Sequence, residues 1–380
     1  MTNETKNVPE LRFPEFEGEW EEKRLGESIN VQSGRDYKHL DDGDYPVYGT
    51  GGYMCSVSDY LYKKDAVGIG RKGTINKPYL LKGPFWTVDT LFYCIPKDNE
   101  DVKFILNLFR TINWKIFDES TGVPSLSKLT INRISKYFPK FEEQQKIGDF
   151  FSKLDCQIEL EEKKLALLEE QKKGYMQKIF SQELRFKDEN GDDYPSWEEL
   201  LISNIGRVVT GNTPSKKVKE YWGTGDYTWV TPTDISNKKE ISTSNYKLSQ
   251  KGFEKARKLP KDTLLITCIA SIGKNAILKK EGSCNQQINA VIPSNDFDVD
   301  YLYYAFENVS KLMKRIAGKT ATQIVNKNVF ENLTVEIPTV FEQQKIAKFL
   351  SSYDKIIEKQ SNKINFLKEQ RQSLLQKMFI

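Results

Sequence analysis

The sequence FEEQQKIGDFF at residues 141–151 recurs as FEQQKIAKFL at residues 341–350. From Glu143 and Glu342 onward, the two stretches align without a gap over 38 residues, of which 17 are identical. Each stretch lacks proline and begins shortly after one, where a helix is expected to start rather than continue. We therefore predict two long helices, each about 57 Å long if all the aligned residues are helical.

The duplication extends into the sequence that precedes each helix. ELRF occurs at residues 10–13 and 183–186, and Gly34 matches Gly211. The offset between matching positions grows from 177 at Gly34 to 197 at Lys72, so the second half carries a net insertion within residues 212–269. A common framework with different insertions favours one scaffold that presents two different recognition surfaces.

Apolar runs separated by glycine and proline predict short strands in both halves, followed in each by a helix at residues 101–117 and 300–316. We expect an α+β fold, in which two duplicated globular regions are joined by the two long helices. The expected globular regions are residues 1–140 and 183–339, and the expected helical segments are residues 141–182 and 340–380. The predicted strands are at residues 45–48, 66–69, 91–95, 228–230, 263–269 and 290–292.

Composition argues against several classes of protein. The five cysteines are scattered and His39 is the only histidine. This usage argues against a disulfide framework and a metal site, and it favours the reducing cytoplasm. No apolar run approaches the length of a membrane span, so we expect no membrane insertion. Residues 1–141 carry 20 basic and 20 acidic side chains, so bulk charge alone does not indicate a nucleic-acid-binding protein.

Both predicted helices carry mostly apolar residues at alternating spacings of four and three, from Ile147 to Ile179 and from Ile346 to Met378. Polar residues interrupt each series at the same two places, which are Glu161 and Lys172 in the first helix and Gln360 and Arg371 in the second. This is the pattern of a coiled-coil seam, which needs a partner helix. The duplicate helix of the same chain or another chain would serve, and we expect the duplicate. In an antiparallel pair whose facing residue numbers sum to 532, polar residues face polar residues. The layers of that register include Leu165 with Leu367, Glu161 with Arg371, and Lys172 with Gln360.

A register shifted by one heptad, with a sum of 525, would leave Glu161 against Ile364 and Leu154 against Arg371. An unpaired buried charge is costly, so the sequence favours the first register. Antiparallel pairing would place the two globular regions at opposite ends of the rod. A rod of about 57 Å corresponds to at most about 17 base pairs of duplex DNA, a separation suited to a two-part, asymmetric site.

The chain resembles the specificity subunits of type I restriction-modification systems over essentially its whole length. The resemblance is carried by FEEQQKI and FEQQKI at the start of the two helical segments. It is also carried by LRFPEFEGEWEEKRLGE at residues 11–27, PVYGTGGY at 46–53, IGRKGTINKP at 69–78 and LLQKMF at 374–379.

The resemblance implies two target recognition domains, each recognising one half of a bipartite target in double-stranded DNA. It implies that the helical segments set the half-site spacing and bind two adenine-N6 methyltransferase subunits. These subunits would in turn support two restriction subunits, which are ATP-dependent translocases and nucleases. S-adenosylmethionine would be held by the methyltransferase subunits, and ATP with magnesium by the restriction subunits. The chain itself would have no cofactor, metal or catalytic residue.

The sequence itself lacks the motifs that methyl transfer and ATP binding would require. It has no Pro-Pro dipeptide, so the Asp/Asn-Pro-Pro-aromatic motif of amino-methyltransferases is absent, and it has no Gly-x-x-x-x-Gly-Lys-Ser/Thr phosphate-binding loop. Gly68, Gly70 and Gly73 satisfy GxGxxG, but TINKP follows instead of a helix, which argues against dinucleotide binding.

Basic and polar residues in the glycine-rich loops and in the inserted region are the candidate DNA contacts. Arginine and lysine bind phosphates or guanine, and threonine contacts base edges or thymine methyl groups. Any single one could equally be a solvated surface side chain. A coiled-coil scaffold carrying protein-binding or glycan-binding modules is the rival interpretation, and an independent enzyme is the third. The candidate DNA contacts are Arg35, Lys38, Arg71, Lys72, Lys77, Lys216, Lys217, Thr231, Thr233 and Lys274.

Overall fold

The computed structural model of the chain describes residues 7–236, 238–318 and 324–380. The chain divides into two compact units. The first unit comprises Met1–Leu165 and Gln360–Ile380, and the second comprises Ala166–Lys359. Each unit therefore contains one globular region and part of both long helices, a division that differs from the four consecutive segments expected from the sequence.

The first half of the chain alternates short strands and helices and ends in a 40-residue helix. A 3-10 helix at Trp114–Phe117 follows the second helix. The elements in order are β1 (Glu21–Arg24), α1 (Leu25–Ser28), β2 (Ile29–Ser33), β3 (Asp42–Gly49), β4 (Gly52–Val57), β5 (Ala66–Gly70), β6 (Tyr79–Leu81), β7 (Trp86–Thr87), β8 (Leu91–Pro96), α2 (Val102–Thr111), α3 (Lys128–Arg133), β9 (Ser135–Phe138) and α4 (Phe141–Phe180).

The second half repeats this plan with additional elements and ends in a 39-residue helix. A 3-10 helix at Lys219–Tyr221 precedes its third strand. The elements in order are β10 (Glu198–Leu201), α5 (Ile202–Ile205), β11 (Gly206–Thr210), β12 (Trp222–Val230), β13 (Glu240–Ile241), β14 (Tyr246–Leu248), α6 (Gln250–Lys255), β15 (Thr263–Thr267), β16 (Asn275–Leu278), β17 (Gly282–Cys284), β18 (Ile288–Pro293), α7 (Val299–Ala317), α8 (Lys327–Glu331), β19 (Thr334–Ile337) and α9 (Val340–Met378).

Strand order confirms the duplication. The first unit contains sheets in the orders β2-β8-β5-β6 and β4-β3-β7, and a pair formed by β1 and β9. The second unit contains sheets in the orders β11-β18-β15-β16-β13 and β14-β12-β17, and a pair formed by β10 and β19. Each strand of the first unit has a counterpart at the same place in the second. The α+β prediction with two duplicated domains is therefore confirmed.

Most of the insertion in the second half lies in the connection that contains the added strand β13. In the first unit, β3 and β4 are joined by a two-residue turn of Thr50 and Gly51. Their counterparts β12 and β14 are joined by residues 231–245, and the β13 part of this connection pairs with the edge strand β16. The insertion predicted within residues 212–269 therefore enlarges one sheet and replaces a tight hairpin turn.

Helix α2 begins as predicted but ends early. The Asp101 carboxylate accepts a hydrogen bond from the Phe104 N–H at 2.8 Å and caps its first turn. The predicted helix at residues 101–117 stops at Thr111, because the Trp114 indole folds back and donates to the Phe109 carbonyl at 2.8 Å. A terminal helix carbonyl is thereby satisfied without a further helical turn.

The two long helices pair with each other inside each unit. In the first unit, Phe151 contacts Phe379 with ring centres 6.1 Å apart, while Gln360 of α9 donates to Glu161 at 2.6 Å. Residue numbers rise along α4 as they fall along α9, so the pairing is antiparallel. In the second unit, the Tyr175 ring lies 5.2 Å from the Phe349 ring. The seam residues Ile147, Phe151, Ile158, Ile179, Ile346, Leu350, Ile364, Leu367 and Met378 are buried.

The predicted register with a sum of 532 is wrong. Glu161 does not face Arg371, because its carboxylate accepts hydrogen bonds from Gln360 and Lys363. Arg371 instead donates to Asp155 at 2.5 Å. The residue numbers of these pairs sum to values close to 525, the register that the sequence argument rejected. The predicted layers of Leu165 with Leu367 and of Lys172 with Gln360 belong to the 532 register and are therefore wrong as well. In the second unit, Lys172 pairs with Asp354 at 2.6 Å.

The rejected register is acceptable because the charges are not left unpaired. Asp155 follows Leu154 directly and supplies the carboxylate that Arg371 needs. Arg110 of α2 donates to the same carboxylate at 2.8 Å. Burial lowers the Arg110 pKa, and the Asp155 carboxylate opposes that change. Residues beside the seam, one of them from the globular region, therefore decide the register.

Paired cysteines test this register in the first unit. Glu161→Cys with Gln360→Cys should close a disulfide on mild oxidation, in a chain whose exposed Cys156 is replaced by serine. Glu161→Cys with Arg371→Cys should not close, because positions 360 and 371 are about 16 Å apart along α9 and a disulfide needs Cα atoms within about 7 Å. Non-reducing electrophoresis distinguishes the two, and closure of the second pair alone would restore the predicted register.

Candidate nucleic-acid interface

A short turn between β7 and β8 brings two of the predicted DNA-contacting loops together in the first unit. The backbone N–H of Arg35 donates to the Thr87 carbonyl at 2.8 Å. The backbone N–H groups of Arg71 and Lys72 donate to the Thr90 carbonyl at 2.8 and 3.2 Å. All three cationic side chains are exposed. The fold therefore collects Arg35, Arg71 and Lys72 around one turn, although Arg35 is distant in sequence from the other two.

The glycine that precedes Arg35 makes this approach possible. A Cβ atom on Gly34 would lie 2.0 Å from the Val88 carbonyl oxygen, which is far inside van der Waals contact. In the second unit, a Cβ atom on Gly211 would lie 2.1 Å from the Asn285 carbonyl oxygen. The matched glycines seen in the sequence therefore serve the same close backbone contact in both units.

A tryptophan indole fixes the residue after each of these glycines. Trp86 of β7 donates to the Arg35 carbonyl at 2.9 Å, and Trp229 of β12 donates to the Asn212 carbonyl at 3.0 Å. Both tryptophans are buried. The indoles come from different strands, so the two units reach the same loop geometry with different sequences.

The remaining predicted contacts of the first unit lie on the same two loops. Lys38 follows Arg35 and is exposed, and Lys77 lies at the far end of the loop that begins with Arg71. The adjacent His39 packs edge-to-face on Trp86 with ring centres 5.8 Å apart. The GxGxxG glycines lie in β5 and the following turn, which leads to strand β6 and not to a helix, in agreement with the sequence interpretation.

The second unit distributes its predicted contacts over three separate loops. Lys216 lies after β11, with its ammonium 5.8 Å from the centre of the Tyr246 ring, and Lys217 beside it is exposed. Thr231 and Thr233 lie after β12 with their hydroxyl oxygens 2.8 Å apart.

The hydroxyl of Thr231 has a structural partner. The Thr231 hydroxyl donates to the Asp234 carboxylate at 2.7 Å. The Asp234 carboxylate also accepts a hydrogen bond from the Asn245 N–H at 2.9 Å. Asp234 therefore shapes the inserted connection and draws the Thr231 hydroxyl inward. Lys274 is exposed on a different loop, where the Thr267 hydroxyl accepts from its backbone N–H at 3.0 Å.

The repeated FEEQQ and FEQQ phrases attach each globular region to its helix. The side chain of Glu143 is 2% exposed and accepts two hydrogen bonds from Arg12, at 2.8 and 2.7 Å, and one from the Trp20 indole at 3.3 Å. Such a bidentate arginine–carboxylate pair is strong and directional. The carboxylate contact raises the Arg12 pKa above its ordinary value.

The second unit repeats this arrangement with equivalent residues. Glu342 is fully buried and accepts from Arg185 at 3.2 and 2.7 Å and from the Trp197 indole at 3.2 Å. The ELRF repeat and the FEEQQ and FEQQ repeat are far apart in each half of the sequence, and no local pattern links them. Their shared recurrence was the available signal, because residues that contact one another in a duplicated fold are duplicated together.

A lysine of the inserted connection holds it to helices of the second unit. The Lys239 ammonium lies 2.6 Å from the Asp300 carboxylate and donates to the Ser351 hydroxyl of α9 at 2.8 Å. The Tyr304 hydroxyl donates to the Asp354 carboxylate nearby, and its pKa is raised by burial and by this contact. The insertion is therefore fixed to the helical segment as well as to the sheet.

Among the described residues, we find no helix with the length and apolarity that crossing a membrane requires.

A family model for the type I restriction modification DNA specificity domain matches the chain twice, over residues 17–170 and 195–368. The chain belongs to this family. Its two specificity domains correspond to the two duplicated halves.

Curated members of the type I specificity family resemble parts of the chain. The MjaIX specificity subunit of Methanocaldococcus jannaschii is 34% identical over 208 residues, which are 53% of this chain and 48% of the relative. The HindI specificity subunit of Haemophilus influenzae is 28% identical over 172 residues, which are 43% of this chain and 37% of the relative. The matches span less than half the length of these relatives.

Solved structures show the same type I specificity fold. The S subunit of a type I restriction-modification system from M. genitalium superposes with a TM-score of 0.68 at 15% identity, covering 98% of this chain and 99% of that chain. A chain from a study of assembly and conformational transition in the type I R-M system has a TM-score of 0.59 at 14% identity, covering 94% and 97%.

Proposed function

We propose that the chain is the non-catalytic DNA specificity subunit of a type I restriction-modification complex. The observation that carries the proposal is the double match of one DNA specificity domain to two halves with the same strand order. The halves differ in the loops that carry the candidate contacts, most clearly where β13 replaces a tight turn. Two similar scaffolds with different loops suit the recognition of two different half-sites.

Phosphate contacts would position each domain, and base contacts would specify its half-site. In the first unit, Arg35, Arg71 and Lys72 are exposed around one turn and suit contacts with the DNA backbone. In the second unit, Lys216, Lys217, Thr233 and Lys274 remain candidates. Thr231 is the weakest candidate of the set because its hydroxyl already donates to Asp234.

The paired long helices would set the spacing of the half-sites and dock two methyltransferase subunits. We extend the proposal to two restriction subunits that bind through the methyltransferase core. S-adenosylmethionine would belong to the methyltransferase subunits, and ATP with magnesium to the restriction subunits. The complex would act in the cytoplasm, where foreign DNA arrives. The buried Glu143 and Glu342 contacts would keep each recognition domain in a fixed orientation on its helix.

Binding of duplex DNA at different salt concentrations tests the proposal. The chain assembled with its methyltransferase subunits should bind a two-part duplex, and the logarithm of the binding constant should fall linearly with the logarithm of salt concentration. Six phosphate contacts would give a slope of about −5. A salt-independent affinity for glycans or peptides, with no preference among duplexes, would favour the rival scaffold interpretation. Methylation or cleavage by the isolated chain would establish an enzyme instead.

A further inference from the structure

We propose that the hairpin of β3 and β4 inserts into a groove of duplex DNA and contacts base edges of the half-site recognised by the first unit. The feature that points to this is an ordered hairpin tip that exposes Tyr53 and Met54 next to the loops of Arg35, Arg71 and Lys72. The inference rests on the proposed function and deepens it, because it assigns base recognition to the hairpin and phosphate binding to the cations.

The hairpin tip is held in one conformation by contacts on its own strands and on β6. Tyr48 faces Tyr53 and Gly49 faces Gly52 at the tip, and a β-bulge separates these pairs from the next pair, Val47 with Cys55. The Tyr79 hydroxyl donates to the Gly49 carbonyl at 2.6 Å. The rings of Tyr48 and Tyr53 make an edge-to-face contact with centres 6.5 Å apart. The tip is therefore a rigid two-stranded ribbon that needs little further ordering when it binds.

The apolar side chains at this tip are exposed. Tyr53 is 64% exposed and Met54 is 51% exposed, whereas Val47, Phe85 and Trp86 beneath the hairpin are buried. Met54 is the unpaired residue of a β-bulge between Tyr53 and Cys55, so these side chains do not follow the regular alternation of a strand. The Met54 side chain lies over Gly49, where an added Cβ would be 2.7 Å from its Sδ atom, and the Tyr53 ring packs against Tyr48. Both side chains therefore present apolar surface at the tip, the part of the hairpin that would enter a groove.

The hairpin is continuous with the cationic loops. The backbone N–H of Val88 donates to the Tyr48 carbonyl at 3.0 Å, and Val88 belongs to the same turn that holds Arg35 and Arg71. Asp36 and Asp89 are exposed on the same segments, so the positive charge is moderate. A purely apolar tip would also suit a protein partner, but flanking arginines and lysine favour a polyanion such as duplex DNA.

A two-stranded ribbon fits the major groove, which is about 12 Å wide. There, a methionine or tyrosine side chain can contact thymine methyl groups and exclude other bases. In the second unit, the counterpart strands β12 and β14 are joined by a longer connection that includes β13, in place of the two-residue turn. The hairpin should therefore affect one half-site and leave the other unchanged.

The test uses the chain assembled with its methyltransferase subunits and duplexes in which each half-site is mutated separately. The main variant is Tyr53→Ala with Met54→Ala, and the conservative variant is Tyr53→Phe with Met54→Leu. Arg35→Ala serves as the phosphate-contact variant. Ile116→Ala is the matched control, because Ile116 is an apolar residue of the same unit that is 71% exposed on a 3-10 helix.

We expect the alanine pair to reduce discrimination at one or two base pairs of one half-site by about tenfold or more, with the salt slope unchanged. Arg35→Ala should weaken binding to all duplexes and reduce the magnitude of the slope by about one. The conservative pair and Ile116→Ala should retain discrimination. Unaltered hydrogen exchange of β5 and β8 in the alanine pair would show that the first unit remains folded.

The outcomes separate the two levels of the proposal. If the unaltered complex prefers no duplex sequence, the proposed function itself is wrong. If it does discriminate and the alanine pair keeps full discrimination at both half-sites, the hairpin inference is wrong. Loss of the methyltransferase subunits from the alanine pair, with discrimination intact in the complexes that remain, would make the hairpin a protein-binding surface and would also overturn the inference.

Discussion

Arg185→Ala should lower the free energy of unfolding of the second unit by about 3–5 kcal/mol, because it leaves the fully buried Glu342 carboxylate without its cation. The Trp197 indole alone cannot offset the loss of two charge-assisted hydrogen bonds. Hydrogen exchange measured by mass spectrometry resolves the two units, and protection should fall in the second unit alone. Arg12→Ala should have the same effect on the first unit.

The exposed Lys187 offers a matched control. It is paired with Asp193 at 3.8 Å, and both side chains are more than 60% exposed, so Lys187→Ala should change stability by less than about 0.5 kcal/mol. The double variant Arg185→Met with Glu342→Leu should recover much of the loss, because no charge then remains buried. A loss below about 1 kcal/mol for Arg185→Ala would contradict the view that this pair fixes the globular region on its helix.

Gly34→Ala should destabilise the first unit by at least about 2–3 kcal/mol and abolish sequence recognition by it. The added Cβ would lie 2.0 Å from the Val88 carbonyl oxygen and 2.4 Å from the Thr87 carbonyl oxygen. Both atoms belong to backbone, so a side-chain rotation cannot relieve the contact, and the Arg35 loop must separate from the turn. Differential scanning calorimetry measures the stability, and duplex binding measures the recognition.

Gly51→Ala is the control for this substitution. Gly51 lies in the turn of the same unit, and a Cβ there would have no other atom within 4 Å. The change should therefore leave stability within about 0.5 kcal/mol. Gly211→Ala should repeat the effect of Gly34→Ala in the second unit. If Gly34→Ala and Gly51→Ala were equally mild, the close contact with the turn would not be needed for the fold.

Local sequence patterns predicted the helices and strands, because each of these elements places apolar residues at a characteristic spacing along the chain. The spacing of Ile147, Phe151 and Ile158 predicted a buried seam, and the structure confirms it. The matched Gly34 and Gly211 predicted a common framework, which the shared strand order also confirms. Each of these conclusions depends on residues close in sequence or on comparison of the two halves.

Features that depend on tertiary partners were not predictable in the same way. The coiled-coil register depends on Asp155, which lies outside the seam, and on Arg110 from the globular region. The pairing of Arg12 with Glu143 joins segments separated by 131 residues. Thr231 was selected as a DNA contact from its residue type, whereas its hydroxyl bonds to Asp234. Composition does not reveal which polar groups are already engaged inside the fold.

Comparison of adenine methylation across the genome, in a host that carries the gene and in the same host without it, tests the central claim most directly. The account predicts a gene-dependent motif with two specified segments, different from each other and separated by a fixed number of unspecified bases. An identical methylation pattern in both hosts, or one continuous motif, would contradict recognition of a bipartite target by two duplicated domains.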